Sequence, residues 1–269
     1  MTSRYWEFQE EQQASVAGRI SKHADFWENQ LNAPPFILDI VKNGFKANLT
    51  STPPSFFARN NNSSLKHEEF VSESINKLLQ DNCIKEVQRA PVCVNPLSVA
   101  EKPKLRLVID LRHVNKFIEL KKFKYENIRT ISEIFDKDDY FFTFDLKSGY
   151  HHVKIHEDFQ PYLGFSWVFN GGRKFFQFLV LPFGLSIACY IFTTLMRQLI
   201  KRWRSVGTKC AMYLDDGIGA KSSLSETCTI RDKMLDDLDK AGLTINSKKS
   251  VLTPTRRGKW IGFVIDTKK

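Results

Sequence analysis

Tyr213-Leu214-Asp215-Asp216-Gly217 sets two adjacent carboxylates between two apolar, β-prone runs, Cys210-Ala211-Met212 before them and Ile218-Gly219-Ala220 after them. The pattern predicts a β-hairpin with the acids at its tip. Such a tip is costly to fold, because the two charges repel and nothing basic stands immediately beside them. A divalent cation is the simplest compensation. A third acid, Asp145, lies in Phe144-Asp145-Leu146-Lys147-Ser148-Gly149-Tyr150 and ends another apolar strand, Tyr140-Phe141-Phe142-Thr143-Phe144. Three carboxylates on two strand ends suit a pair of Mg²⁺ ions, with Mn²⁺ as a substitute, held for phosphoryl transfer. Taken singly, each acid has a plainer reading: Asp-Asp-Gly is a common solvated turn, and Asp145 could cap the turn that follows it.

The 269 residues suffice for one large domain or two intimately packed ones, and 42% hydrophobic residues allow a sizeable core. The formal net charge of +10 favours a polyanionic partner, nucleic acid ahead of an acidic membrane surface. The basic residues cluster. Lys102, Lys104, Arg106, Arg112, Lys116, Lys121, Lys122, Lys124 and Arg129 fall in one stretch, five more lie between Arg197 and Lys209 without an acid, and Lys248, Lys249, Arg256, Arg257 and Lys259 crowd the end. Clustering argues for a basic surface rather than diffuse solubilisation. Cys83, Cys93, Cys189, Cys210 and Cys228 are scattered, with no Cys-x-x-Cys pair to suggest zinc. They fit buried thiols in a reducing compartment. No secretory signal or membrane-spanning stretch is visible, so the expected setting is intracellular, nucleus or cytoplasm, with no membrane partner.

Along the chain, residues 1–30 read as a loosely held arm around Trp6 and Trp27. Phe70, Val71, Ile75, Leu78 and Leu79 recur at helical spacing and predict a helix over about 67–80. Ile84–Val87, Leu97–Val99 and Leu105–Asp110 read as strands, and 167–180 as a hairpin turning at Gly171-Gly172. A long helix is expected after Ser186 as N-cap, with Ala188, Ile191, Phe192, Leu195, Met196, Leu199 and Trp203 on its core face. Arg202 and Arg204 on the other face are candidate phosphate contacts. A further helix carries Ile230, Met234, Leu235 and Leu238 and closes at Gly242; Leu243–Asn246 and Trp260–Ile265 are expected as single strands. Helices alternating with antiparallel hairpins imply an α+β fold.

In order, these blocks resemble the palm motifs of a reverse transcriptase. Phe144–His152 resembles the first catalytic block, Leu181-Pro182-Phe183-Gly184-Leu185-Ser186 the block that contacts template and nucleotide, and Tyr213–Asp216 the signature box. Ala241–Lys249 resembles the lysine block, Trp260–Phe263 the primer grip, and Leu105–Lys116 the fingers strand that grips the triphosphate. Phe123-Lys124-Tyr125-Glu126, the Leu-Asp-Asp-Gly box and Ala188–Thr193 are most similar to retrotransposons of the DIRS-like, tyrosine-recombinase group. The resemblance covers roughly residues 30–265. It implies a right-hand polymerase of fingers and palm, with an RRM-like antiparallel palm sheet, helices on one face of it, and a thumb absent or truncated. The implied division is an N-terminal extension over 1–65, fingers over 66–138 with 165–181, and palm over the rest of 139–269.

The same resemblance implies the residue roles. Asp145, Asp215 and Asp216 would be the catalytic metal carboxylates, with Leu146 in the metal shell. Asp216 would either complete that shell or only orient it. Arg106 would contact the triphosphate, helped by Lys102 or Lys104, and the backbone N–H groups of Leu146 and Lys147 could approach it. Gly149 would permit a tight turn that sets Tyr150 under the incoming sugar as a gate against a 2′-hydroxyl. Phe183 and Gly184 would shape the nucleotide and template pocket, and Lys248 or Lys249 would serve the leaving pyrophosphate. His151 and His152, on opposite faces of an expected strand, are not expected to bind metal. The implied partners are an RNA or DNA template with its primer, deoxynucleoside triphosphates, and further domains of a larger polyprotein such as RNase H or recombinase. The implied activity is RNA-directed DNA polymerisation. A domesticated, catalytically inactive nucleic-acid binder is the alternative, and a two-metal nuclease a third reading.

Overall fold

The computed structural model describes residues 15–269, so the expectation for Trp6 lies outside the described residues. Eight helices are described: α1 (Ala24–Asn29), α2 (Pro35–Asn43), α3 (Asn62–Lys66), α4 (Glu68–Gln80), α5 (Arg112–Asn115), α6 (Ile128–Ile134), α7 (Ala188–Ser205) and α8 (Leu224–Lys240). The strands are β1 (Phe56–Phe57), β2 (Ile84–Val87), β3 (Cys93–Asn95), β4 (Leu97–Ala100), β5 (Arg106–Ile109), β6 (Tyr140–Asp145), β7 (Gly164–Phe169), β8 (Gly172–Phe178), β9 (Lys209–Tyr213), β10 (Asp216–Lys221), β11 (Val251–Thr255), β12 (Arg257–Trp260) and β13 (Phe263–Asp266). They form a mixed five-stranded sheet, β1-β3-β7-β8-β2, an antiparallel four-stranded sheet, β11-β6-β10-β9, and two separate hairpins, β4-β5 and β12-β13. No described helix is long and apolar enough to cross a membrane.

The four-stranded sheet follows from the aromatic run of β6. Alternation sends Phe142 and Phe144 to one face and Phe141 and Thr143 to the other. On the first face Phe144 meets Trp203 of α7 edge-on at 6.3 Å. Opposite these rings β10 carries glycine: Gly217 pairs with Phe144 and Gly219 with Phe142. A Cβ on Gly217 would stand 2.1 Å from the Phe144 ring. The rings lie over bare backbone, and that lets α7 and α8 settle close to the sheet. The two helices are locked together by Asp237, buried on α8, which accepts hydrogen bonds from Trp203 Nε1 at 2.9 Å and Arg202 Nε at 3.1 Å. The long helices share one face, as expected. The opposite face is also covered, because α6 and the β12-β13 hairpin bury Ile131, Trp260 and Ile265 against Phe141, Ile218 and Ala220.

Four local expectations change. Trp260–Ile265 is a hairpin that turns at Ile261 (φ 43) and Gly262 (φ 85), rather than a single strand. Leu243–Asn246 contributes only an isolated bridge, Ile245 to Leu146. The N-cap of α7 is Ile187, without a side-chain cap, and Ser186 lies one residue earlier with its N–H donated to Asn115 Oδ1. From Ser15 onward the expected loose arm is bound into the body. Trp27 is fully buried with Nε1–H donated to Ala241 O at 2.9 Å, and Arg19 reaches both Asp239 and Thr244.

Candidate active site

Asp145 is the last residue of β6 and Asp216 the first of β10, and the two are direct partners across the antiparallel pair. Cβ atoms in such a pair stand about 5 Å apart. Asp216 also pairs with Tyr213 of β9, which leaves Leu214 and Asp215 as a two-residue hairpin turn. Leu214 takes the positive φ that this turn demands, 54°, where glycine is the residue of choice. The strained leucine marks the tip as a place where geometry outranks local comfort. Asp215 leans the other way, toward the 149–152 turn, since a Cβ on Gly149 would come within 3.3 Å of the Asp215 Cβ.

The backbone around Asp145 is fixed by the segment that follows α8. Asp145 N–H donates to Ser250 Oγ at 3.0 Å, Asn246 N–H donates to Asp145 O at 2.7 Å, and Ser250 Oγ–H donates to Asn246 O. That grip delivers Lys249, rather than Lys248, to the acids, with Nζ 3.5 Å from Asp145 Oδ2. Trp260 Nε1–H points at Asp216 O from the C-terminal hairpin.

Burial first, then the neighbouring carboxylates, push Asp216 up to about 6; burial and Asp145 also raise Asp215. Asp145 Oδ1 is buried with no hydrogen-bond partner among the described residues. An orphaned carboxylate oxygen beside two acids that resist ionisation fits a divalent cation. Among the described residues no three His, Cys, Asp or Glu side chains already stand at mutual coordination spacing. The acids are neighbours rather than a closed cage, and Lys249 lies against one of them. Mg²⁺ sites of this kind take few protein ligands and are completed by water and phosphate oxygens.

Leu146 and Lys147 do not offer free amides: Leu146 N–H donates to Asp215 O at 2.9 Å and Lys147 N–H to Thr244 O at 2.8 Å. The route expected from those amides to a triphosphate is therefore closed. The tight turn also differs from expectation, with the positive φ at Ser148 (51°) rather than at Gly149. Gly149 is needed for space, since a Cβ there would meet the Phe192 ring at 2.9 Å. His151 and His152 lie in this 3-10 turn instead of a strand, and burial pushes both imidazoles down to about 4. His152 Nδ1 lies 3.0 Å from Gly149 O, and Nε2 accepts the Thr244 N–H, so the neutral ring pins the turn to the lysine segment.

Tyr150 is nearly buried between Phe183 at 5.0 Å and Phe192 at 5.4 Å, with its hydroxyl against Cys189 Sγ. Burial, then that contact, raises its phenol well above the ordinary range. Phe183 is half exposed. Gly184 (φ 103) lies so close to β5 that a Cβ would strike Ile109 O at 2.5 Å. Asn115 clamps this loop by donating to Gly184 O and accepting from Ser186 N–H. Arg106 and Phe183 line one cleft of about 530 Å³, together with Ile109, Ser148 and His151. Arg202 and Arg204 are spent internally, on Asp237 and Gln30 O, and on Glu126 and Cys210 O. Glu126 in turn accepts Met212 N–H on the free edge of β9. Asn115, Glu126, Asn246 and Ser250 hold the site by long-range contacts that no spacing rule announces.

The profile of the family described as reverse transcriptase (RNA-dependent DNA polymerase) matches residues 98–265, which include all three acids. The chain belongs to the reverse transcriptase family. Among its relatives, the Pol polyprotein of transposon gypsy from Drosophila melanogaster is 29% identical over 205 residues, covering 73% of this chain and 19% of the relative. The Pol polyprotein of transposon opus, from the same fly, is 27% identical, covering 86% of this chain and 23% of the relative. The genome polyprotein of Petunia vein clearing virus is 27% identical over 71% of this chain and 9% of its own length. This reverse transcriptase chain thus spans under a quarter of the length of each of these polyproteins. The foamy viral protease–reverse transcriptase, solved with an RNA/DNA hybrid, shares its fold at a TM-score of 0.68 and 24% identity, over 82% of this chain and 29% of that one. The same viral protein with double-stranded DNA gives 0.67 at 22% identity, over 92% and 54%.

Proposed function

We propose that the chain is an RNA-directed DNA polymerase that extends a primer 3′-end with deoxynucleoside triphosphates. The observation that carries this reading is the direct cross-strand pairing of Asp145 with Asp216, with Asp215 on the turn beside them. Asp145 and Asp215 would hold two Mg²⁺ ions, with Mn²⁺ able to replace them, and Asp216 and the Leu146 carbonyl would complete the protein's share of the shell. Bound there, the ions favour ionisation of the primer hydroxyl and neutralise charge on the triphosphate.

The chain's own side chains supply the rest. Arg106, exposed on the β4-β5 hairpin, meets the triphosphate, and Lys147 offers its ammonium from the edge of the site. Tyr150 underlies the sugar and excludes a 2′-hydroxyl. Phe183 and Gly184 shape the base and template side of the pocket. Lys249 is better placed than Lys248 to follow the leaving pyrophosphate, because it already touches Asp145.

In this reading the β4-β5 hairpin and the five-stranded sheet apart from β1 are fingers (66–138 with 165–181), the four-stranded sheet is the palm, and 1–65 is an N-terminal extension that lends β1 to the fingers sheet. A primer on an RNA or DNA template lies along the basic surface, bound chiefly through phosphate and hence sensitive to salt. The relatives' lengths support a place in a larger polyprotein with RNase H or recombinase domains. The Phe123–Glu126 and Ala188–Thr193 segments support the DIRS-like group, and the scattered thiols an intracellular setting, nucleus or cytoplasm. Purified protein is expected to add deoxynucleotides to a primed RNA template with Mg²⁺, and Asp215→Asn to abolish this. Binding of primer–template without incorporation by the wild type would refute the reading.

A further inference from the structure

Cys189 is the second residue of α7, and its Sγ lies 3.0 Å from the Tyr150 hydroxyl. The Tyr150 ring is held on one side by buried Phe192 and on the other by Phe183, which is half exposed and a poor wall by itself. The hydroxyl end of the ring is anchored through the sulfur. Nearby, the Tyr125 ring lies 5.2 Å from that of Tyr213, two residues before Asp215.

We propose that Cys189 is a positioning residue for sugar selection: its hydrogen bond to Tyr150 Oη holds the ring in the attitude that excludes a ribonucleotide 2′-hydroxyl. The inference rests on the reading of Tyr150 as the sugar gate. A gate works by denying space to a single oxygen, so its selectivity depends on how firmly the ring is fixed. Tyr150 is nearly buried, and a phenol there that loses its partner gains no water in exchange. Without the sulfur the ring turns toward the exposed Phe183 side to solvate its hydroxyl, and that motion opens the room which the 2′-hydroxyl needs.

Single-nucleotide incorporation with matched deoxy- and ribonucleoside triphosphates tests this. Cys189→Ala is expected to lower the deoxy-to-ribo ratio of kcat/KM by roughly three- to tenfold, the scale of one net hydrogen bond. The change should fall mainly on KM for the ribonucleotide. Cys189→Ser, which keeps a donor and acceptor, should restore most of the ratio. Tyr150→Phe should lower the ratio as Cys189→Ala does, and the double variant should be no worse than either, because both remove one interaction. An unchanged ratio in Cys189→Ala, or additive losses in the double variant, would overturn the proposal.

Tyr150→Ala separates two failures. A ratio that survives there removes the gate reading itself, whereas a ratio that collapses there but stands in Cys189→Ala removes only the role of Cys189. Iodoacetamide labelling followed by peptide mass spectrometry reports without catalysis. Cys189 should react roughly threefold faster in Tyr150→Phe, where the hydroxyl no longer covers it; equal rates would count against the contact.

Discussion

Replacing Asp216 by Asn should stabilise the fold while impairing the proposed polymerisation, and the gain should depend on pH. Asp216 has an ordinary value of 3.8 and stands at about 6 in the folded chain, chiefly through burial and then through Asp215 and Asp145. Between those two values the folded state holds more protons than the unfolded one, so stability falls as pH rises through that window. At 1.36 kcal/mol per pH unit the gap corresponds to about 3 kcal/mol of destabilisation at pH 8 as an upper bound. Partial solvent access reduces this to about 1–2 kcal/mol. Asn removes the charge, so Asp216→Asn should raise the melting midpoint at pH 8 by about 2–8 °C in a chain of this size. At pH 5 about half of the gain should remain, because Asp216 is protonated in the folded chain but ionised in the unfolded one; it should vanish only below about pH 4. Added Mg²⁺ should raise the wild-type midpoint at pH 8 more than that of the variant. Calorimetric or fluorescence melts at the two pH values, with and without Mg²⁺, read all of this. A variant less stable than the wild type at pH 8, or an equal gain at both pH values, would refute the idea that the acids repel one another in a shared desolvated site.

Two further outcomes test the fold that presents the acids. Gly217→Ala should cost about 1–3 kcal/mol in urea denaturation, because its Cβ enters the Phe144 ring and neither strand can yield without moving Asp216; a neutral result would contradict the ring-over-glycine packing. Trp27→Ala should cost about 3–5 kcal/mol by the same measurement, since it empties a fully buried site and strips Ala241 O of its donor. A cost below about 1 kcal/mol would show that the segment before α2 is a dispensable arm.

Strong local patterns gave the sequence reading its successes. The aromatic run at 140–144, the seven apolar positions from Ala188 to Trp203 and the Asp-Asp tip all became what their periodicity implied, a central strand, a buried helix face and a hairpin turn. The failures share a cause, which is that long-range contacts overrode local preference. Trp27 reads as an isolated aromatic in a polar arm because its partner, Ala241, is distant in sequence. Trp260–Ile265 reads as one β-prone run because Ile261 is a poor turn residue, yet Gly262 lets the chain fold back and bury Trp260 and Ile265 on the sheet. Arg202 and Arg204 look free for phosphate, but Asp237 and Glu126 had already claimed them. The amides of Leu146 and Lys147 look available to a triphosphate because they directly follow Asp145, but Asp215 O and Thr244 O accept them. Asn115, Asn246 and Ser250 are ordinary polar residues in the sequence, and only the folded chain turns them into supports for Phe183, Asp145 and Lys249.

Manganese binding read by electron paramagnetic resonance, in the presence of primer–template and a non-hydrolysable deoxynucleotide, addresses the central claim most directly. The wild type should bind two Mn²⁺ per chain close enough to couple magnetically, and Asp145→Asn should lose that coupled pair. A wild type that binds no coupled pair, or an Asp145→Asn chain that keeps one, would contradict it.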